Sequence, residues 1–555
     1  MRHGGHIVVD QLRALGVRRV FTVPGESFLP VLDALFDRPD VQAIVCRHEG
    51  GAAMMAEATG KLTGQPGIAI VTRGPGATNA MSGLHVARQD QTPMLLLVGL
   101  HAQHDDNREA FQEIDIGALF GSVAKWTAVV RSLERLPELL ARAWHTALSG
   151  RPGPVVLGLP EDVLAAESDA PVAPCSCVAR PAPDRATMER VASMLATAER
   201  PMVIAGGPGW SEAAARDLAS FATRFDIPVA AAFRRQDSID NRHPCYVGHL
   251  GLAIDAPLAA GVRDADLVIA IATRLDEITT GGYDLLRSPG QRIVHAHPCA
   301  DEAGRSIPAA LAVVATADAF TAALAGLEGP ASPRPWAQRR RDLRAAYAAW
   351  SKPVARPRPA RLASVVRTLS DTLPDAAIVT NGAGNYAAFL HRHFTYKRAG
   401  TQLAPASGSM GYGLPAAIAA KLASPEVPVV ALAGDGCLMM TVQELATAVQ
   451  HRAAIVVVVA NNAMYGTIRM HQERTFPGRV SATDLVNPDL VALALSFGAF
   501  AERVDRADAF EPALQRAMAS GSPALIEVVV DPEAITPAAT LSEIRAGQEP
   551  GAAKS

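Results

Sequence analysis

The sequence predicts an α/β protein of three doubly wound parallel-sheet domains. Three observations carry this. Short apolar runs alternate with amphipathic helical patterns along the whole chain, which is the signature of βαβ units. The 555 residues are too many for one hydrophobic core. Two Pro-rich stretches, AESDAPVAPCSCVARPAPD and the ends of GPASPRPWAQRRRDLRAAYAAWSKPVARPRPARL, cut the chain into three parts of similar length.

In the first part, residues 1–165, VRRVFTVPG is a strand ending in a Pro-Gly turn and SFLPVLDALFD is a helix. VQAIVCRHE is a strand, GGAAMMAEATGKLTG a helix of small residues, and PGIAIVTRGPGATNAMSGL a strand, a Gly-rich turn and a helix start. MLLLVGL and PVVLGLP read as buried strands. The second part, residues 185–335, has RPMVIAGG, DIPVAAA, ADLVIAIA and QRIVHAHP as its strands. A charged helix then lies between the Pro-rich ends of the second connector. The third part, residues 355–535, ends with the strand ALIEVVV, and the tail from Glu533 reads as small, polar and mobile.

Hydrophobic residues make up 49% of the chain, enough for large buried sheets, and the net charge of −3 without a basic block excludes nucleic acid as a partner. The start, MRHGGHIVVDQLRALGV, lacks the apolar core of a signal peptide. No apolar run approaches the ~20 residues that span a bilayer. Of six cysteines only Cys175 and Cys177 are close, and C-x-C alone is a weak metal signal, so the expectation is a reduced, cytoplasmic protein.

The strongest chemical signal is the stretch from Gly434 to Asn462. The run PVVALAG ends at Gly434-Asp435-Gly436, an amphipathic helix follows, and IVVVVA ends at Asn461-Asn462. Ligands of parallel sheets bind at the carboxyl ends of strands, where Asp435 and Asn462 lie. One offers a carboxylate oxygen and the other an amide oxygen, hard ligands suited to Mg²⁺, which takes others from phosphates. The glycines let backbone N–H groups approach a diphosphate, and the helix start favours an anion.

GDG, a helix and NN at this spacing resemble the thiamin diphosphate motif, and nearly the whole chain resembles the acetolactate synthase-like group of thiamin-dependent decarboxylases and carboligases. The resemblance implies the order pyrimidine-binding, central and diphosphate-binding domain. It implies thiamin diphosphate and Mg²⁺ as cofactors, a 2-oxo acid as substrate, and a homodimer or homotetramer with shared active sites. Asp435, Asn462 and the Met464 carbonyl would hold the metal. Gly436, Cys437, Gly466, Asn385 and Tyr386 would contact the diphosphate, the last two in the loop NGAGNY. Gly408 and Met410, in PASGSMGYG, would accept a bond from the pyrimidine amine and hold the cofactor bent. Asn79, in GPGATN, would lie near the cofactor. Glu49, in RHEGGAA, matches the activating glutamate, which shares a proton with the aminopyrimidine ring and in this family comes from the neighbouring subunit. Without the resemblance, Glu49 reads as a helix-start carboxylate complementing the dipole.

On the substrate side, Gln112 matches a glutamine facing the reacting carbonyl in the carboligating synthases. Glu26, after Pro24-Gly25, reads as a proton donor or relay, or equally as a helix cap. His101 and His104 read as solvated, and His85 as a structural histidine. Glu161 and Ile278 stand where acetolactate synthases have a lysine and an arginine, which removes charge-assisted contacts to an anionic acceptor. The acceptor-pocket tryptophan is absent too, leaving Thr467, Ile468 and His471 to line the pocket. Arg469 reads as a carboxylate anchor or a solvated helix residue. His295 and His297 replace the acidic strand end of the flavin-binding relatives, so FAD is possible but not favoured.

The expected reaction is decarboxylation of a 2-oxo acid, with the remaining fragment passed to a carbonyl acceptor or protonated. The alternatives are a non-ligating decarboxylase of the benzoylformate or indolepyruvate type, a flavin or nicotinamide oxidoreductase built on the Gly-rich loops at GPGATN and AGGPGW, and a non-catalytic partner subunit.

Overall fold

The computed structural model describes residues 1–174, 177–329, 334–353 and 361–547, without the side chain of residue 361. Cys175, of the C-x-C pair, and the last residues of the tail lie outside these. The expected architecture is present: three six-stranded sheets, parallel throughout, with helices between most successive strands, though Leu267–Ile271, Arg292–His297 and Leu311–Val314 follow one another without one.

From edge to edge the first sheet runs Gln42–Val45, Arg19–Thr22, Gly67–Val71, Met94–Leu100, Pro154–Pro160 and Trp126–Val129. The winding reverses between Arg19–Thr22 and Gly67–Val71, which opens a switch-point crevice at their carboxyl ends. The last sheet repeats this order with Gln402–Leu403, Ile378–Asn381, Val429–Gly434, Val456–Asn461, Ala524–Val529 and Phe500–Val504, so its crevice lies between Ile378–Asn381 and Val429–Gly434. The central sheet runs Tyr246–His249, Val229–Ala231, Pro201–Ala205, Leu267–Ile271, Arg292–His297 and Leu311–Val314.

The strands that the sequence reading passes over are all edge strands. Trp126–Val129, Leu311–Val314 and Phe500–Val504 are only partly buried, and Gln402–Leu403 has two residues. An edge strand needs less apolar surface than a central one, so its pattern is weak. Tyr246–His249 is buried because the charged connector helix, Ala337–Trp350, covers it. Tyr246 and Tyr347 meet edge to face at 5.0 Å, and Arg344 donates to the Tyr246 carbonyl over 2.9 Å.

Two compact units emerge. The first is Met1–Ala179 together with Pro405–Pro425 and Thr441–Ala453; the second is Arg180–Ala404 with Glu426–Met440 and Ala454–Ser555. In the first, the helix Glu49–Thr63 is buried along most of its length between the helices Met81–Asp90 and Gly413–Ala423. Its small residues make this possible: a Cβ on Gly83 would lie 2.5 Å from Ala53 Cβ, and one on Gly60 2.2 Å from the Pro93 carbonyl. Within this packing Glu57 is fully buried and accepts hydrogen bonds from Thr92 (2.6 Å) and Tyr412 (2.5 Å), with Lys61 Nζ at 3.1 Å. Burial pushes its carboxyl up, and the charge of Lys61 opposes that shift.

Two expectations are corrected. The helix after Gly436 is not continuous: it breaks into Asp435–Leu438 and Glu444–Gln450. Between them Thr441 bonds the Gly411 carbonyl over 2.7 Å, the kind of side-chain competition that interrupts helices. The tail is also ordered through residue 547. Ile535, Ala539, Leu541 and Ile544 form a buried cluster with Met470, and the short helix Leu541–Arg545 starts with a capping box from Thr540 and Glu543. Ile535, Leu541 and Ile544, scattered through an otherwise small and polar segment, supply packing surface against the helix Gly466–Thr475.

Candidate active site

The carboxyl edge of the first sheet gathers most of the residues singled out there. Glu49 begins its helix, is buried, and accepts a hydrogen bond at Oε2 from Asn79 Nδ2 over 2.9 Å. His48 caps the same helix, its Nδ1 accepting from Gly50 N (3.0 Å). The dipole reading of Glu49 thus holds for its position, but the Asn79 contact adds a partner that a plain helix start does not need. A Cβ on Gly76 would sit 3.3 Å from Glu49 Oε1, so the turn between Gly74 and Asn79 closes directly over the carboxylate.

Glu26 opens a 3₁₀ turn and Glu161 a short helix, and both reach one guanidinium. Arg73 Nη2 donates to Glu26 Oε1 over 2.7 Å and Nη1 to Glu161 Oε2 over 3.0 Å. Sequence reasoning missed Arg73, although its place directly before GPGATN was a usable signal. Gln112 takes the left-handed region at φ +59, and its carbonyl lies 2.9 Å from where a Cβ on Gly74 would be. Only a glycine at 74, itself at φ +38, admits this approach.

Three histidines differ from expectation or from one another. His101 is buried rather than solvated, with Nε2 3.0 Å from Asp106 Oδ1, because the loop 101–113 folds back over it. His104 is exposed as expected, and His85 is exposed rather than structural, since it points from the outer face of its helix.

The segment bearing Gly408 and Met410 belongs to the same unit. Asp90, paired with Lys61, accepts from Ala406 N over 2.8 Å, and Tyr412 reaches Glu57. Gly408 is exposed at φ +70 and Met410 is half-buried.

At the crevice of the last sheet, Asp435 is buried at the end of Val429–Gly434. Burial pushes its carboxyl above the ordinary carboxylate range, and a hydrogen bond from Asn487 Nδ2 (2.7 Å) opposes this. Asn487 also donates to Asn461 Oδ1 over 3.1 Å. Asn461 is otherwise committed, accepting from Ala463 N and donating to Glu527. Asn487 carries no sequence signal, since it lies in a loop far along the chain. Asn462 is half-buried beside Gly466, and the Met464 carbonyl accepts from Gly466 N (2.9 Å).

Across the crevice Asn385 starts the helix Asn385–His393 and accepts from Thr467 Oγ1 over 3.0 Å. Tyr386 is buried and braces the strand end, its ring 2.9 Å from where a Cβ on Gly434 would be. Its hydroxyl accepts from Gly382 N and donates to Cys437 Sγ, each over 3.1 Å. A Cβ on Gly436 would lie 2.7 Å from the Tyr465 ring. Of the residues expected to line a substrate pocket, Thr467 is engaged by Asn385, whereas Ile468 and His471 are exposed. Arg469 is neither free anchor nor solvated: its guanidinium pairs with the fully buried Glu473 at 3.1 Å.

Three family models match the chain in order. "Thiamine pyrophosphate enzyme, N-terminal TPP binding domain" matches residues 2–119, the central domain 188–324, and the C-terminal TPP binding domain 382–528. Acetolactate synthase isozyme 2 large subunit of Escherichia coli (strain K12) is 33% identical, across 95% of this chain and 96% of its own. The probable acetolactate synthase large subunit of Methanocaldococcus jannaschii is 31% identical, across 96% and 93%. The mitochondrial catalytic subunit of acetolactate synthase from Saccharomyces cerevisiae is 30% identical, across 95% and 80%.

The chain belongs to the thiamine pyrophosphate enzymes.

The crevice residues fit that family's cofactor and metal. Asp435 is a carboxylate held out of water whose side-chain partner is the neutral Asn487 amide, with no cationic side chain bonded to it among the described residues, so a divalent cation would offset the cost of its burial. At the switch point of the central sheet the described residues approach closely. Gly206 N donates to the Ile271 carbonyl, and a Cβ on Gly207 would lie 1.8 Å from the Ala272 carbonyl oxygen. His295 is fully buried, with Nε2 on the Thr273 carbonyl (2.8 Å) and Nδ1 accepting from Gly304 N (3.0 Å). Among the described residues no helix is long and apolar enough to cross a membrane.

Proposed function

We propose that this thiamin enzyme decarboxylates a 2-oxo acid and transfers the remaining fragment to a carbonyl acceptor, as an acetolactate synthase-like carboligase that uses Mg²⁺. The buried Asp435 at the switch point, beside Asn461 and Asn487 and ahead of Asn462, is the observation that carries it. The names of the relatives support the reaction class.

The placements support the following roles. Asp435, Asn462 and the Met464 carbonyl would hold the metal; Asn461, bound to Ala463 and Glu527, positions the turn. Asn385, Gly436, Cys437 and Gly466 surround the diphosphate through backbone and amide groups, with Tyr386 as the brace under that floor. Gly408 and Met410 would hold the pyrimidine end, and Glu49, its carboxylate fixed by Asn79, would hold a proton at the pyrimidine end of the cofactor bound by the neighbouring subunit. When bound, thiamin diphosphate supplies the carbon nucleophile and the electron sink for loss of CO₂. Gln112 would face the reacting carbonyl, and Glu26, its carboxylate held by Arg73, would relay a proton.

The assembly is a cytoplasmic homodimer or homotetramer with shared sites, and the domains divide as 1–165, 185–335 and 355–535. FAD is possible but not favoured, a reading supported by the close approach at Gly207 and by both ring nitrogens of His295 being engaged. A non-ligating decarboxylase is the second reading, favoured by Glu161 and Ile278 at the places of two cations.

The test is a panel of 2-oxo acids, with and without aldehyde or 2-oxo acid acceptors, read as CO₂ release and product mass. A 2-hydroxy ketone is the expected product, and a free aldehyde alone would favour the second reading. Glu49→Gln should abolish turnover while cofactor binding persists; undiminished CO₂ release would remove Glu49 from the mechanism.

A further inference from the structure

The switch-point crevice of the first sheet holds one cation and two carboxylates. Glu26 follows Arg19–Thr22, Arg73 follows Gly67–Val71 and Glu161 follows Pro154–Pro160, so three strand ends deliver them to one edge. The Arg73 side chain is only 7% exposed, whereas those of Glu26 and Glu161 are 63% and 43% exposed. The positive charge is therefore inside and the negative charge outside. Arg73 spends one guanidinium nitrogen on each glutamate, its Nε is buried without a partner among the described residues, and its Cζ lies 5.8 Å from the exposed Phe111 ring.

This trio adjoins Glu49. Thr72 connects them: its Oγ1 lies 2.9 Å from Ser27 Oγ in the Glu26 turn. A Cβ on Gly76 would lie 2.9 Å from Thr72 Cγ2 and 3.3 Å from Glu49 Oε1. Thr72 thus lies between the Glu26 turn and the Gly76 turn over Glu49, on the same edge of the sheet as the rim.

Resting on the reaction proposed above, we propose that Glu26 and Glu161 make this rim a cation-selecting subsite, so that the preferred substrate is a 2-oxo acid whose far end carries an ammonium or guanidinium group. Two carboxylates on one guanidinium leave a net negative charge facing solvent. A second anion would have to displace a glutamate from Arg73 to gain any contact, whereas a cation accepts nothing from Arg73 and bonds the outer oxygens of both carboxylates directly. Arg73 keeps the two carboxylates apart and oriented.

The test uses the full-length protein with thiamin diphosphate and Mg²⁺ and three 2-oxo acids of matched length, ending in an ammonium group, a methyl group and a carboxylate. The ammonium acid should exceed the methyl acid about tenfold in kcat/KM, mostly through KM, as one charge-assisted contact is worth. The carboxylate acid should be the poorest, and the ratios should narrow as salt rises. E161Q should shrink the ammonium preference several-fold, and E161K should reverse the order of the ammonium and carboxylate acids. Equal kcat/KM for all three acids, a best result with the carboxylate acid, or a preference unmoved by both substitutions would overturn the proposal. Calorimetric binding of the same acids to the E49Q holoenzyme separates the two readings. If affinities follow the charge order while the unaltered enzyme releases no CO₂, the subsite stands and the reaction class falls. If CO₂ is released with no charge order in either assay, the reaction class stands and the subsite falls.

Discussion

Asn79 Nδ2 donates to Glu49 Oε2 across 2.9 Å, joining the helix start after one strand to the Gly-rich turn after the next-but-one in the sheet. The bond fixes one carboxylate oxygen and leaves the other, Oε1, beside Gly76. A proton-handling carboxylate works only when its oxygen is aimed, and here a neutral amide does the aiming without adding charge.

Asn79→Ala should therefore lower kcat by about 10–100-fold, on the scale of losing a positioned proton-transfer group, with thiamin diphosphate affinity changed far less. Steady-state CO₂ release beside calorimetric cofactor titration checks this. An equal loss in cofactor affinity would make Asn79 a binding residue instead.

Asn487 holds Asp435 and Asn461 with one amide nitrogen. Asn487→Ala should weaken Mg²⁺-dependent cofactor binding about 10–100-fold, the usual effect of removing a group that orients metal ligands. Asp435→Ala should release thiamin diphosphate at ordinary Mg²⁺ levels. Both are read by titrating Mg²⁺ at fixed cofactor, and unchanged midpoints would refute the metal assignment.

His249, His391 and His393 are buried in the second unit, and burial pulls all three below the ordinary imidazole range, His249 and His393 to about 4. Unfolded chain takes up protons near pH 6.5, where these folded imidazoles do not. Their contribution to stability is thus full above about pH 6.5 and is lost as the pH falls toward 4, at up to about 1.4 kcal/mol per pH unit for each histidine. Trp350, with its ring 5.6 Å from His249, reports the change by fluorescence in denaturant titrations at several pH values. Stability that stays flat between pH 6.5 and 5 would contradict it.

The tail clamp has its own signature. Ile544 is buried against Met470, Ile535 and Leu541, so Ile544→Ala should cost about 2–4 kcal/mol of local stability. The variant should expose residues 535–547 to limited proteolysis and hydrogen exchange. Because a Cβ on Gly466 would lie 2.8 Å from Ile535 Cδ1, the loosened tail should also weaken cofactor binding several-fold. Arg545 holds the Glu473 carboxyl down at about 2. The clamp is therefore full above about pH 4.3 and is lost as the pH falls toward 2.

Much of this protein is written in local pattern. The central strands of all three sheets are legible because burial on both faces demands unbroken apolar runs, as at Met94–Leu100 and Val429–Gly434. Asp435, Asn462 and Glu49 are legible because strand ends and helix starts are sequence features, and the spacing between them identifies the family. What only tertiary structure decided is which side chains share a charge or a surface. Arg73 becomes the hub of Glu26 and Glu161, residues 47 and 88 positions away along the chain, through the order in which strands lie side by side. Arg469 becomes the partner of a buried glutamate, and the tail becomes packing for the helix Gly466–Thr475. Local periodicity records whether a residue faces a core; it does not record which distant residue the sheet order brings beside it. The cofactor family was therefore readable from the chain, whereas the grouping of Glu26, Arg73 and Glu161 was set by the fold.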